Sequence, residues 1–186
     1  MISLENAKRI GDGAHWHQAR MEEVTWLAEQ AVHHSSIVEI GAWMGVTTRA
    51  LADNTSGSVT VIDSWDGGTD VPIQDILKGK PADWAYNQFL ANTSDLTNLV
   101  VFRKDSLAAA CEFASWGGKF DMIFLDASHD YESVIGDLLA WRPLLSEGGL
   151  LCGDDFSEVH FPGLVKAVKE VLPKARRVAG AFWISE

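Results

Sequence analysis

Apolar positions along the chain alternate between a helical and a strand-like rhythm. Met21, Val24, Leu27, Ala28, Ala31 and Val32 recur at helical spacing, a polar stop covers His33 to Ser36, and the run Ile37-Val38-Glu39-Ile40-Gly41 reads as a buried strand. Val46, Ala50 and Leu51 continue as a helix, Ser58 to Asp63 as a second strand and Leu99 to Phe102 as a third. Asp105-Ser106 offers side-chain oxygens to the free N–H groups of a helix carried by Leu107, Ala110, Cys111 and Ala114. Phe120 to Leu125 is the fourth strand. Tyr131, Val134, Ile135, Leu138 and Trp141 mark a helix that stops before Pro143, and Gly148-Gly149 leads into the fifth strand, Leu150 to Gly153. Leu164, Val165, Val168 and Val171 form a last helix ended by Pro173. Two short β-like segments, Arg177 to Ala179 and Phe182 to Ser185, turn on Gly180-Ala181.

Buried strands alternating with helices specify an α/β fold with a parallel sheet, right-handed crossovers and a C-terminal antiparallel hairpin strand. Such sheets bind ligands at the carboxyl ends of their strands. Here those ends carry Glu39 with Gly41, then Asp63, Asp105, Asp126 and Asp154-Asp155. One such Asp is commonly a cap or loop residue; acids at all five ends point to a site. The connection from Ser64 to Leu99 is about twice as long as one crossover helix requires. Its Gly-, Asp- and Pro-containing front half and helical back half around Trp84 to Leu90 mark an insert, about residues 65–95, that reads as a lid.

The 186 residues suit a single domain, residues 1–186, with a core that needs neither disulfide nor structural metal. Cys111 and Cys152 lie in apolar runs and read as reduced core thiols. No stretch at the N-terminus resembles a secretory leader and no apolar run spans a bilayer, so a cytoplasmic location without membrane contact is expected. A net charge of -11 disfavours nucleic acid, which demands a basic face. The cluster Lys166, Lys169, Lys174, Arg176 and Arg177 reads as a solvated helix face. A small neutral or cationic ligand suits the charge, and homo-oligomer formation is left open.

The first strand end reads Val38-Glu39-Ile40-Gly41-Ala42-Trp43-Met44-Gly45-Val46-Thr47-Thr48. Gly41 and Gly45 permit a tight turn and close approach of a ligand to backbone. A nicotinamide dinucleotide loop would need glycine at 41, 43 and 46, but Trp43 and Val46 stand there, and a Walker phosphate loop is absent. The E-x-G-x-x-x-G pattern followed by the acid Asp63 resembles the class I S-adenosylmethionine-dependent methyltransferases. The stretch Phe120 to Phe156 carries D-x-x-H-x-Y-E, then D-L-x-x-W-x-P-L-L-x-x-G-G, then G-D-D. It is similar to the subgroup that includes macrocin O-methyltransferase and the cephalosporin-biosynthesis methyltransferase-like proteins. The resemblance runs from about Ile37 to Phe156.

That resemblance implies a Rossmann-like, doubly wound, mostly parallel seven-stranded sheet and S-adenosylmethionine as cofactor. Glu39, Gly41 and Gly45, with Ala42 and Trp43 of the same loop, would line its methionine part. Asp63 and Ser64 would hold the ribose and adenine side, Asp105 and Ser106 would meet the adenine edge, and Asp126 would close the cofactor site. Trp43 stands where many class I enzymes have glycine and serves equally well as a packing residue. The resemblance also makes Asp126, Asp154 and Asp155 a divalent-cation site, expected to take Mg²⁺, with His129 as general base. Physical chemistry agrees, since close carboxylates repel unless a cation neutralises them and Mg²⁺ prefers oxygen ligands. Capping roles stay open for Asp154 or Asp155, as does packing at a helix start for His129. His33-His34 suit a helix C-terminus, while His15, Trp16 and His17 fit either an aromatic flap or a packed N-terminal arm. The expected activity is metal-assisted O-methylation of a hydroxylated small molecule. Its competitors are a metal-independent methyltransferase and a cofactor-binding module without turnover.

Overall fold

Apolar runs too short for a helix build the strands of the computed structural model, which describes residues 2–13, 20–68 and 71–186. β1 (Ser36–Ile40), β2 (Ser58–Asp63), β3 (Leu99–Arg103), β4 (Phe120–Leu125) and β5 (Leu145–Gly153) pair in parallel, and β6 (Arg176–Ala179) and β7 (Phe182–Ile184) close the sheet antiparallel. Among the described residues the seven strands form one sheet in the order β3-β2-β1-β4-β5-β7-β6. This is the expected Rossmann-like architecture. The direction of winding reverses between β1 and β4, where a crevice opens at the strand ends.

Both faces are covered by helices: α1 (Glu5–Gly13), α2 (Arg20–Ala31), α3 (Val46–Ala52), α4 (Val71–Leu77), α5 (Trp84–Thr93), α6 (Ser106–Ser115), α7 (Tyr131–Trp141) and α8 (Pro162–Val171). β1 shows why its run is apolar on both sides. Ile37 packs with Leu27, Leu51 and Phe124 in one layer, whereas Val38 and Ile40 pack with Ile123, Leu138 and Trp141 in the other. Parallel register sets Ile40 beside Ile62 and Leu125, and Leu125 beside Gly153, so Gly41, Asp126 and Asp154 emerge side by side.

Several elements differ from the periodicity. α1 carries only Ala7 and Ile10 as buried apolar anchors, and α4 lies in the insert where no apolar repeat marks it. β5 begins at Leu145 because the register slips between Phe120 and Met122, which absorbs the glycine pair as a bulge. α7 stops at Trp141, before Pro143 as expected, and a 3-10 turn over Arg142–Leu144 follows, with proline in its first turn where no N–H is needed. Cys152 is buried as expected, but Cys111 is exposed on the outer face of α6. His34 Nδ1 lies 2.8 Å from the Gln30 carbonyl at the end of α2, which also accepts the His33 N–H at 2.9 Å. His15, Trp16 and His17 lie outside the described residues, as do residues 69–70 of the insert. Among the described residues no helix is long and apolar enough to cross a membrane.

Candidate active site

The crevice at the switch point is a cleft of about 530 Å³, within the range of roughly 300–1,000 Å³ common for cofactor and small-molecule sites. Ala42, Trp43 and Met44 wall one side, Asp63, Ser64 and Asp66 the next, Asp105 and Ser106 the far end, and Asp126, His129 and Asp155 the mouth.

The loop after β1 is held open by its neighbours. Asp63 Oδ2 accepts the Ala42 and Trp43 N–H groups at 2.8 and 2.9 Å, and its Oδ1 accepts Trp65 N–H at 2.7 Å. The Trp65 indole donates to the Trp43 carbonyl at 2.7 Å. These bonds hold Trp43 at φ 45, a left-handed conformation that a bulky residue adopts only when its surroundings impose it. Trp43 is half-buried against Trp84 and faces the cleft, so it both packs and lines. Burial raises the Asp63 carboxyl, and the three backbone N–H groups offset part of that rise.

Glu39 and Gly45 sit behind the cleft wall. Glu39 is fully buried, with Oε2 accepting the Thr48 hydroxyl at 2.5 Å and Oε1 lacking a hydrogen bond among the described residues. It ties β1 to α3 rather than facing the cleft. Burial pushes its carboxyl up to about 7, against the Thr47 and Thr48 hydroxyls. Gly45 starts α3 at φ 88 and packs toward Thr93 and Phe89.

At the far end Asp105 caps α6 by accepting Ala108 N–H at 3.0 Å, as its spacing suggested, while still lining the cleft. Ser106 donates to Asp137 Oδ1 at 2.5 Å and accepts the Trp141 indole N–H at 2.8 Å. Burial pushes Asp137 up to about 6. No sequence signal singled out Asp137, which sits mid-helix among apolar residues.

These shifts have a sign that can be measured. Glu39 and Asp137 bind protons more tightly folded than unfolded, so the folded chain holds extra protons between their ordinary values of 4.5 and 3.8 and their raised ones. Their contribution is complete below the ordinary values and is lost as pH rises through 6 and 7. In chelator, the thermal midpoint should fall from pH 5 to pH 8, with Glu39 accounting for roughly 3 kcal/mol at about 1.4 kcal/mol per pH unit. Glu39→Gln should flatten that decline; an unchanged pH profile in the variant would dismiss Glu39 as its source.

The mouth gathers the charged groups. Donor atoms of Asp126, His129 and Asp155 all lie within 4.8 Å of one another. Asp155 adopts φ 62 after β5, which Asp tolerates better than most residues, and its Oδ2 approaches His129 Nε2 to 2.7 Å. The His129 ring also stacks on Phe161, with centroids 4.4 Å apart. Asp154 points elsewhere: Oδ1 accepts the Asp155 N–H at 2.5 Å, and Oδ2 faces the Arg20 guanidinium at 3.3 Å. Burial and the Asp154 and Asp155 carboxylates raise Asp126; burial and Asp155 raise Asp154, with Arg20 opposing. Arg20 and Phe161 escaped the sequence reading. Arg20 is 134 positions from Asp154, and no local pattern connects them.

A family model described as a methyltransferase domain matches residues 38–156. Among solved structures, a calicheamicin methyltransferase is similar at 18% identity, with a TM-score of 0.64 over 90% of this chain and 80% of that one. An O-methyltransferase from Bacillus cereus, in complex with SAH, is 18% identical with a TM-score of 0.63 over 98% of this chain and 90% of its own. A putative caffeoyl-CoA O-methyltransferase from Staphylococcus aureus is 18% identical, TM-score 0.61, over 98% and 91%. At these identities the likeness speaks for the fold. No curated protein matches the chain.

Proposed function

The chain belongs to the methyltransferase domain family, and on that premise we propose that it transfers a methyl group from S-adenosylmethionine to a hydroxyl oxygen of a small molecule, assisted by a divalent cation. The observation that carries the reading is the convergence of Asp126, His129 and Asp155 at the mouth of a cleft lined by Trp43, Asp63 and Ser106. The calicheamicin and Bacillus cereus structures, named as methyltransferases, support the transfer, and the SAH complex of the latter supports the cofactor.

Asp63 faces the cleft with lone pairs to spare, as an acceptor suited to ribose hydroxyls. The apolar edges of the Ala42-Trp43-Met44 loop flank the methionine end. Asp105 and Ser106 stand at the adenine end. S-adenosylmethionine supplies an electrophilic methyl on a sulfonium, and a bound divalent ion lowers the pKa of an oxygen beside it. The donor set fits such an ion. Asp126 and Asp155 offer carboxylate oxygens suited to Mg²⁺, and His129 broadens the set toward Mn²⁺. Asp154 would complete an all-oxygen set once Arg20 withdraws from it, which would leave His129 as the base that takes the hydroxyl proton, its charge matched by Asp155. Holding the hydroxyl in line behind the methyl supplies much of the acceleration.

One observation favours a metal-independent route: Arg20 already offsets the charge of Asp154 and Asp155. Turnover of S-adenosylmethionine against a screen of sugars, macrolides and catechols decides between them. Activity should vanish in chelator after dialysis and return with Mg²⁺ or Mn²⁺; full activity in chelator would reject the cation, and binding without turnover on any acceptor would favour a non-catalytic module.

Acceptor choice falls to the insert. Ile73 and Ile76 of α4 line the cleft, and Gly68 approaches Ser128 across it. Limited proteolysis should cut first between about residues 66 and 83 and slow when SAH and acceptor are added. Cleavage there at one rate with and without ligands would refute a lid.

A further inference from the structure

We infer that Arg20 competes with the divalent cation for the carboxylates after β5, so that the Arg20 ion pairs and metal occupancy exclude each other. The inference rests on the cation reading above. Arg20 Nη1 lies 3.3 Å from Asp154 Oδ2 and Nη2 lies 3.8 Å from Asp155 Oδ1. The forked guanidinium therefore spans two of the carboxylates that would serve the cation. Asp155 is shared, with Oδ1 toward Arg20 and Oδ2 toward His129. A dication on Asp155 and Asp154 would meet a guanidinium at ion-pair distance, and like charges in a partly desolvated mouth repel.

Which partner yields is legible in the burial. The Asp154 side chain is 2% exposed, and the Trp183 indole also holds its carbonyl at 3.2 Å. Asp155 is buried on a backbone turn at φ 62. The Arg20 side chain is 37% exposed at the first residue of α2, with a long stem that can carry its charge into the cleft or to solvent. α2 does not depend on this pair for its place. Val24, Leu27, Ala28 and Ala31 are buried, and Glu23 Oε1 accepts the Ala181 N–H at 2.6 Å. Arg20 thus neutralises the acids before the metal arrives and sets a threshold for its entry.

The test titrates the full chain with Mn²⁺ alone, without cofactor or acceptor, and reads free Mn²⁺ by electron paramagnetic resonance alongside the metal-induced rise in thermal midpoint. Arg20→Gln should bind Mn²⁺ roughly tenfold tighter than the parent, the scale of one lost charge-assisted hydrogen bond, and should show the larger midpoint rise. Arg20→Lys keeps the charge, loses the fork and should fall between. If Arg20→Gln melts without cooperativity, Arg20→Lys carries the test, and parent-like affinity in it overturns the competition. Equal or weaker Mn²⁺ binding by a cooperatively folded Arg20→Gln overturns the competition and leaves the cation reading standing. No binding by parent or variant at millimolar Mn²⁺ overturns both.

Discussion

Replacing His129 by alanine is expected to lower turnover by about 10²–10⁴, the usual contribution of a general base, with SAH affinity nearly unchanged. The expectation comes from the way the ring is held. Phe161 stacks against one face at 4.4 Å between centroids, and Asp155 lies 2.7 Å from Nε2, so the imidazole is oriented at the cleft mouth and a carboxylate awaits its positive form. The cofactor loop gains its shape from Asp63 and Trp65, on a different strand end, which is why binding and chemistry should separate. Single-turnover rates with the best acceptor and calorimetric titration of SAH measure the two. A loss of less than about fivefold in rate would remove His129 from proton transfer. A parallel loss of SAH affinity would mean that it supports the cleft instead.

Gly41→Ala should be the most destabilising substitution in the cofactor loop. Gly41 leaves β1 at φ +85, and a Cβ built there would lie 2.0 Å from the Asp126 carbonyl oxygen and 2.8 Å from Ala127 Cα. Both are backbone atoms of the neighbouring strand end, with no side chain to swing aside, so β1 and β4 must part. We expect a loss above about 4 kcal/mol, which lowers the thermal midpoint by at least about 8 °C in a chain of this size, and no measurable SAH binding. Gly79→Ala provides the reference: its φ is +77 but nothing lies within 4 Å of the new Cβ. Its cost should be about 1 kcal/mol, the backbone strain alone. Similar midpoints for the two variants would show that close packing of the strand ends does not govern position 41.

The alternation of short apolar runs with helical repeats determined the α/β class by itself, because a strand buried on both faces and a helix buried on one leave different periods in any sequence. β2 and β4 fall at the boundaries that their apolar runs mark, and Asp105 caps α6 for the local reason that its spacing announces. The acids at the strand ends were equally legible, since chain direction in a parallel sheet delivers them to one edge. The tertiary structure alone decided what each acid faces. Glu39 and Asp63 both lie within the last two residues of their apolar strands, yet Thr48 draws Glu39 under α3 while Asp63 takes three backbone N–H groups and keeps a face on the cleft. Asp154 and Asp155 are adjacent in the chain, but the left-handed turn at Asp155 sends one carboxylate to Arg20 and the other to both Arg20 and His129. Period and spacing act over a few residues and can be read along the chain. Arg20 reaches Asp154 across 134 positions, and a contact of that kind exists only once α2 has packed onto the sheet.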